Sequence, residues 1–271
     1  MEKADSLSVA EQWRKTLEAQ TASYDVSALG RDVRQVISEE LRSYYLRKVL
    51  EYAQLGEGAL ILEPGCGSGR RSVSLGTLGH QVVLFDYTPQ ILHNARQLAR
   101  NAKVTWSAFV WGNLEYLPFD NNTFDLVFNE GVVEHWLDAG RRAHVFREMV
   151  RVTKPGGTVS IVVPNGSHLL HSWWQRLGYD AEGVPMFNFG PDELAQHLRR
   201  SGLRDIEVGG SEQRPWSMIN HWPRNIVFRL IAAAAHRLLP VPARLNAKLN
   251  VNLLGLGRKP TRPPRLSRPS N

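Results

Sequence analysis

Glu63, Gly65, Gly67, Gly69 and Asp86 are the residues of this chain whose types and spacing point to chemistry. A short apolar run, Ala59 to Leu62, ends at the carboxylate of Glu63, and glycines then occupy alternate positions as far as Gly69. That order predicts a strand, a tight loop and a helix. Glycine takes positive φ without steric cost and lets a ligand approach the main chain. A helix starting beyond the loop aims free N–H groups and the positive end of its dipole at whatever lies over it. A second apolar run, Gln81-Val82-Val83-Leu84-Phe85, closes on Asp86. A dinucleotide site would show G-x-G-x-x-G, and the spacing here departs from it. The loop is built for a small molecule of another kind, the alternative being an ordinary strand-to-helix turn with Asp86 capping a helix.

With Asp86 in that place, the pattern Glu63-x-Gly65-x-Gly67-x-Gly69 resembles the nucleoside site of class I S-adenosylmethionine-dependent methyltransferases. The resemblance implies S-adenosyl-L-methionine as cofactor. That compound has no pyrophosphate, so the loop need only pass close to an amino acid moiety, and a carboxylate at a strand end can accept both ribose hydroxyls. Glu63, Gly65, Cys66, Gly67, Gly69, Asp86 and Tyr87 are expected around it, with Cys66 a small filler rather than a nucleophile. The segment Trp111-Gly112-Asn113-Leu114-Glu115-Tyr116-Leu117-Pro118-Phe119 is similar to the family segment that holds the adenine with an acidic residue followed by an apolar one. Asn113 stands where the family usually has Asp. Its amide oxygen can still accept from the adenine amino group, although a polar turn after a strand is the other reading of Asn113 and Leu114.

The segment Asn129-Glu130-Gly131-Val132-Val133-Glu134-His135-Trp136 follows the fourth apolar strand, next to the expected methyl group. Asn129 is expected at the cofactor, and Glu130 and Trp136 at the acceptor. Methyl transfer from a sulfonium is an in-line displacement in which alignment supplies much of the acceleration. A base is needed only when the acceptor holds its proton tightly, and His135 has the intrinsic range for that task. A Glu-His pair also recurs in the family as a helix-start feature. Substrate contacts are further expected from Tyr24 and from Trp173 and Trp174 in the aromatic stretch 165–189, which reads either as an acceptor cover or as a cap packed on the core.

These residues need a scaffold, and the alternation of strand-like and helix-like periods predicts one: an α/β, Rossmann-like doubly wound sheet, mostly parallel with an antiparallel last strand. Strands are expected at Ala59–Leu62, Gln81–Asp86, Val104–Val110, Phe124–Phe128, Thr158–Val163, Leu203–Val208 and Val251–Leu256. Helices are expected at 32–53, 70–78, 90–100 and 143–151, and after Gly190-Pro191. Thr88-Pro89 forms an N-cap and first-turn pair, and Lys154-Pro155-Gly156-Gly157 a tight turn. The domain organisation that follows is an N-terminal helical lid (1–54), a methyltransferase domain (55–258) with insertions at 165–189 and 224–248, and a basic disordered tail (259–271).

At 271 residues, 42% hydrophobic and 22% charged, the composition is that of a globular protein. No apolar run approaches the roughly eighteen residues of a spanning helix, and the start Met1-Glu2-Lys3-Ala4-Asp5 lacks a signal pattern. A cytoplasmic location is expected. One cysteine excludes an intrachain disulfide and a multi-cysteine zinc site, and no metal is expected. The net charge is +7, of which +5 falls between Gly257 and Asn271, leaving +2 elsewhere. That argues against a nucleic-acid partner. The apolar face of 224–239 suits packing on the domain or a second subunit, with peripheral contact to an anionic membrane as the alternative. The function expected is methyl transfer to a small-molecule acceptor, a natural-product or lipid-like intermediate. A cofactor-binding regulator without transferase activity and an RNA or protein methyltransferase are the alternatives.

Overall fold

The structure is a computed structural model describing residues 31–168, 185–212, 248 and 250–261. In chain order its elements are α1 (Val33–Arg42), α2 (Tyr44–Ala53), β1 (Leu60–Pro64), α3 (Arg70–Thr77), β2 (Gln81–Asp86), α4 (Pro89–Asn101), β3 (Ser107–Trp111) and β4 (Phe124–Glu130). A single 3-10 turn at Val133–His135 follows, then α5 (Ala139–Val152), β5 (Thr153–Pro164), α6 (Pro191–Arg200), β6 (Arg204–Gly210) and β7 (Asn252–Arg258). The strands form one sheet in the order β3-β2-β1-β4-β5-β7-β6. β1 to β5 are parallel, and β7 runs antiparallel between β5 and β6. This is the Rossmann-like architecture expected, with the last described strand reversed.

Strands covered on both faces read as continuous apolar runs rather than alternating ones, and β1 and β2 do so. Ile61, Leu84, Leu126 and Phe128 face a core layer with Val36, Leu46, Val49 and Val73 of α1, α2 and α3. Leu62, Phe85, Val127 and Ile161 face the opposite layer, with Phe146, Met149, Leu194 and Leu198 of α5 and α6. The carboxyl ends of the parallel strands therefore open between two packed layers.

Local chemistry moves several boundaries. The single helix expected over 32–53 is two, because Ser43 leaves the helical region (ψ 144°) and its hydroxyl accepts from Leu46 N at 3.2 Å. A serine competes with the helix for backbone donors in this way. Gln54, at φ 50°, ends α2 by turning into the left-handed region. Thr88 precedes α4 without a side-chain capping bond. Val104 is no strand residue: its N–H closes on Ala99 O at 3.0 Å, and β3 starts at Ser107. α5 starts at Ala139 rather than Ala143, since Asp138 Oδ1 accepts from Arg141 N at 2.8 Å. The expected turn at Lys154–Gly157 is a break in register between β4 and β5, with Gly156 at φ 82°. Lys259 belongs to the folded domain rather than to a tail. Its ammonium donates to Val150 O (2.7 Å), Thr153 O (2.8 Å) and Asn122 Oδ1 (2.8 Å), serving the carbonyls at the end of α5.

Tyr24, Trp173, Trp174, the 224–239 segment and residues 262–271 lie outside the described residues. Among the described residues no helix is long and apolar enough to cross a membrane, and no group of three or more His, Cys, Asp or Glu could hold a metal.

Candidate active site

The loop between β1 and α3 depends on its glycines. Gly65, Gly67 and Gly69 have φ of 74°, 50° and 68°, a region that side chains rarely enter. A Cβ on Gly69 would stand 2.5 Å from Leu84 Cδ2 and 3.0 Å from Ala95 Cβ, and one on Gly65 2.6 Å from Val132 Cγ2. The loop is thus locked against β2 and α4 on one side and the loop after β4 on the other. Gly65 N and Cys66 N both donate to Phe85 O, at 2.7 and 3.0 Å. Cys66 fills the space beneath; burial, with the Asp86 and Glu63 carboxylates beside it, pushes its thiol up and keeps it protonated.

Two buried carboxylates flank the loop. Glu63, at the end of β1, accepts from Ser72 N in the first turn of α3 at 3.3 Å, and burial pushes it up to about 7. Asp86, at the end of β2, accepts from Gly67 N at 3.2 Å and from Thr88 N at 2.9 Å through its two oxygens. Burial pushes Asp86 up to about 6 against the opposing pull of those N–H groups. Tyr87 and Trp111 continue this edge: Trp111 Nε1 donates to Tyr87 O at 2.8 Å, the rings are 6.4 Å apart, and Trp111 is 63% exposed.

Asn113 turns the chain after β3. Its Oδ1 accepts from Glu115 N at 3.0 Å, so the polar turn exists whatever else the amide does. Leu114 beside it is buried. Glu115 was not singled out in the sequence, and it organises this loop: its carboxylate accepts from Trp136 Nε1 and from Arg141 Nε (3.0 Å), and its carbonyl faces His144 Nε2 at 2.8 Å. Trp136 is therefore tied into a structural cluster with only 6% of its surface exposed, which leaves little of the ring for an acceptor.

The end of β4 and the loop after it divide their residues between the two faces of the sheet. Asn129 is wholly buried, and its Nδ2 points at Met149 Sδ of α5 at 3.5 Å. Glu130 pairs with Arg71 of α3. Glu134, another residue the sequence did not flag, is buried with Oε2 lacking a hydrogen-bond partner, and burial pushes it up to about 8. The Glu-His adjacency was the available signal for it. His135 is buried, its Nδ1 is 3.3 Å from Pro185 O, and burial lowers its pKa despite the carbonyls of Pro185 and Gly131 that favour the charged ring.

The two described ends of the aromatic insertion meet each other, and the 185–189 end meets this loop. Asn165 and Phe189 form a bridge, Phe187 N donates to Glu134 O at 2.7 Å, and Arg142 lies over the Phe187 ring at 3.7 Å while donating to Trp136 O at 2.7 Å. The stem of 165–189 is thereby fastened to the turn that carries His135.

Bare positive-φ glycines, an acid with two oxygens at the end of β2 and an aromatic wall beside it suit a nucleoside with an amino acid extension. The sheet order and this loop define the class I, Rossmann-like type of nucleoside-cofactor domain. A family model described as a methyltransferase domain matches residues 62–161. A malonyl-(acyl-carrier protein) O-methyltransferase of Erwinia pyrifoliae is 30% identical over 158 residues, covering 57% of this chain and 57% of the relative. A demethylmenaquinone methyltransferase of Bacillus cereus is 28% identical over 200 residues, covering 64% of this chain and 81% of the relative. A solved putative methyltransferase of Haloferax volcanii, in complex with the Trm112 methyltransferase activator, superposes with a TM-score of 0.59. At 20% identity over 92% of this chain and 98% of that one, it is a likeness of fold. Over residues 62–161 the chain is thus similar to the methyltransferase domain family, and the described sheet shares its Rossmann-like fold with the solved neighbour. The chain spans little more than half the length of its Erwinia relatives, 57% and 59%.

Proposed function

We propose that this chain transfers the methyl group of S-adenosyl-L-methionine to a small-molecule acceptor, a natural-product or lipid-like intermediate methylated on oxygen, nitrogen or carbon. The observation that carries this reading is the convergence of four loops on one sheet edge, with the Asp86 carboxylate joined to the Gly67 amide at 3.2 Å. Ligands of open α/β sheets bind at that edge. The acceptors named for the two relatives, malonyl-(acyl-carrier protein) and demethylmenaquinone, support the acceptor class.

When bound, the cofactor supplies an activated methyl group on a sulfonium. The roles of the chain's own residues follow from their chemistry. Asp86 accepts the ribose hydroxyls; Tyr87, Trp111, Asn113 and Leu114 line the base; and the glycine loop passes the amino acid part. On the acceptor side, Val132, His135 and the 165–189 stem exclude water and align the nucleophile, alignment being the larger contribution to such a displacement. His135, held neutral at pH 7 by its lowered pKa, takes the proton of an acceptor that keeps it tightly. The 1–54 region serves as a lid and 165–189 as the acceptor cover.

The test is release of S-adenosylhomocysteine across a panel of phenolic, amine and activated-methylene acceptors. Acceptor-dependent release that disappears in Asp86→Ala supports the reading. Tight cofactor binding with no release on any acceptor would favour a cofactor-binding regulator.

A further inference from the structure

Arg71 is built into the site, yet the glycine loop and Asp86 leave it without a role. It stands in the first turn of α3, just beyond Gly69, where the loop after β4 meets the glycine loop at Val132. Its guanidinium pairs with Glu130 at the end of β4. The same group lies over the Tyr45 ring at 4.5 Å, and Tyr45 is fixed in turn, buried with its hydroxyl 3.3 Å from Ser160 Oγ. Arg71 Nε has no hydrogen-bond partner, with Glu40 of α1 at 3.6 Å from it. A guanidinium carries five N–H donors in a rigid fork, so donors remain. The Arg71 and Glu130 side chains keep 21% and 32% of their surface, and a ligand can reach both.

A planar cation beside a carboxylate, each with hydrogen-bonding capacity to spare, is complementary to a zwitterion. The fork of arginine matches a carboxylate bidentately, and a carboxylate takes an ammonium. We propose that Arg71 and Glu130 recognise the α-amino acid end of the ligand in the glycine loop, Arg71 holding its carboxylate and Glu130 its ammonium. Their internal pair is exchanged for two pairs to the ligand, with the Tyr45 ring keeping the guanidinium in place. This assignment rests on the cofactor reading above and adds a selectivity to it. Nucleosides that lack the amino acid end gain nothing from Arg71.

The experiment is calorimetric binding to the full chain of two probes, S-adenosylhomocysteine and 5′-methylthioadenosine, which share nucleoside and sulfur and differ in the amino acid end. Arg71→Gln is expected to weaken S-adenosylhomocysteine about ten- to a hundredfold, as for loss of a charge-assisted bidentate contact. Methylthioadenosine affinity should stay within about twofold, and its retention reports that the variant is folded. Arg71→Lys, which keeps the charge and loses the fork, should fall between, and Glu130→Gln should again weaken only the first probe. Equal losses for both probes, or none for either, would overturn the assignment. Wild-type protein that binds neither would overturn the cofactor reading itself and this assignment with it, whereas wild type that binds both with unchanged variants would overturn this assignment alone.

Discussion

Asp86→Asn should change the stability of the protein by an amount that depends on pH, and the sign follows from the geometry. The two carboxylate oxygens accept from Gly67 N at 3.2 Å and Thr88 N at 2.9 Å. Asparagine keeps one acceptor oxygen and turns an NH2 group toward the other donor. A buried donor left unsatisfied costs about 1–3 kcal/mol. Against this, burial raises the folded-state pKa of Asp86 from 3.8 to about 6. A carboxyl raised in this way contributes stability that is fully present below its unfolded value and lost as pH rises through its folded one. Between pH 4.5 and 8 the wild type therefore loses on the order of 2 kcal/mol through Asp86, and the asparagine variant loses none of it. The variant should be less stable than wild type by about 1–3 kcal/mol near pH 4.5 and close to it at pH 8. Urea unfolding followed by circular dichroism at both pH values measures the gap. A gap of equal size at the two would refute the burial argument.

Two further substitutions probe the frame of the site. Gly69→Ala combines a left-handed φ of 68° with a Cβ 2.5 Å from Leu84 Cδ2, and a loss of about 2–5 kcal/mol is expected; urea unfolding near wild-type values would show that the loop relaxes freely. Glu134→Gln removes a buried carboxyl raised to about 8, whose stability contribution is lost as pH rises from its ordinary value of 4.5 through about 8. Thermal unfolding should find the variant more stable than wild type at pH 9, with the advantage shrinking toward pH 5.

The parts of the site made of backbone were legible in the residues. Alternate glycines after an apolar run can do little else than turn a strand into a helix, and Asp86 closes β2 at the expected position. Side-chain destinations were less so, because they depend on which face of a strand or helix a position occupies. Asn129 and Glu130 are neighbours in sequence, yet one points at Met149 of α5 and the other at Arg71 of α3. Trp136 looked like an acceptor contact from its place after β4, but Glu115, distant in sequence and itself held by Arg141, ties it down. Ser43 breaks a helix whose apolar period runs straight through it, since the period records packing and is silent about a hydroxyl competing for a backbone N–H. Arg71 carried no sequence signal beyond its place in the first turn after the loop.

Calorimetric binding of S-adenosylmethionine and S-adenosylhomocysteine to wild type and Asp86→Ala is the most direct measurement of the central claim. Wild type should bind both, and the variant should lose about a hundredfold or more with the two ribose contacts. Wild-type protein that binds neither compound, or a variant that binds them as tightly as wild type, would contradict the placement of the cofactor at Asp86.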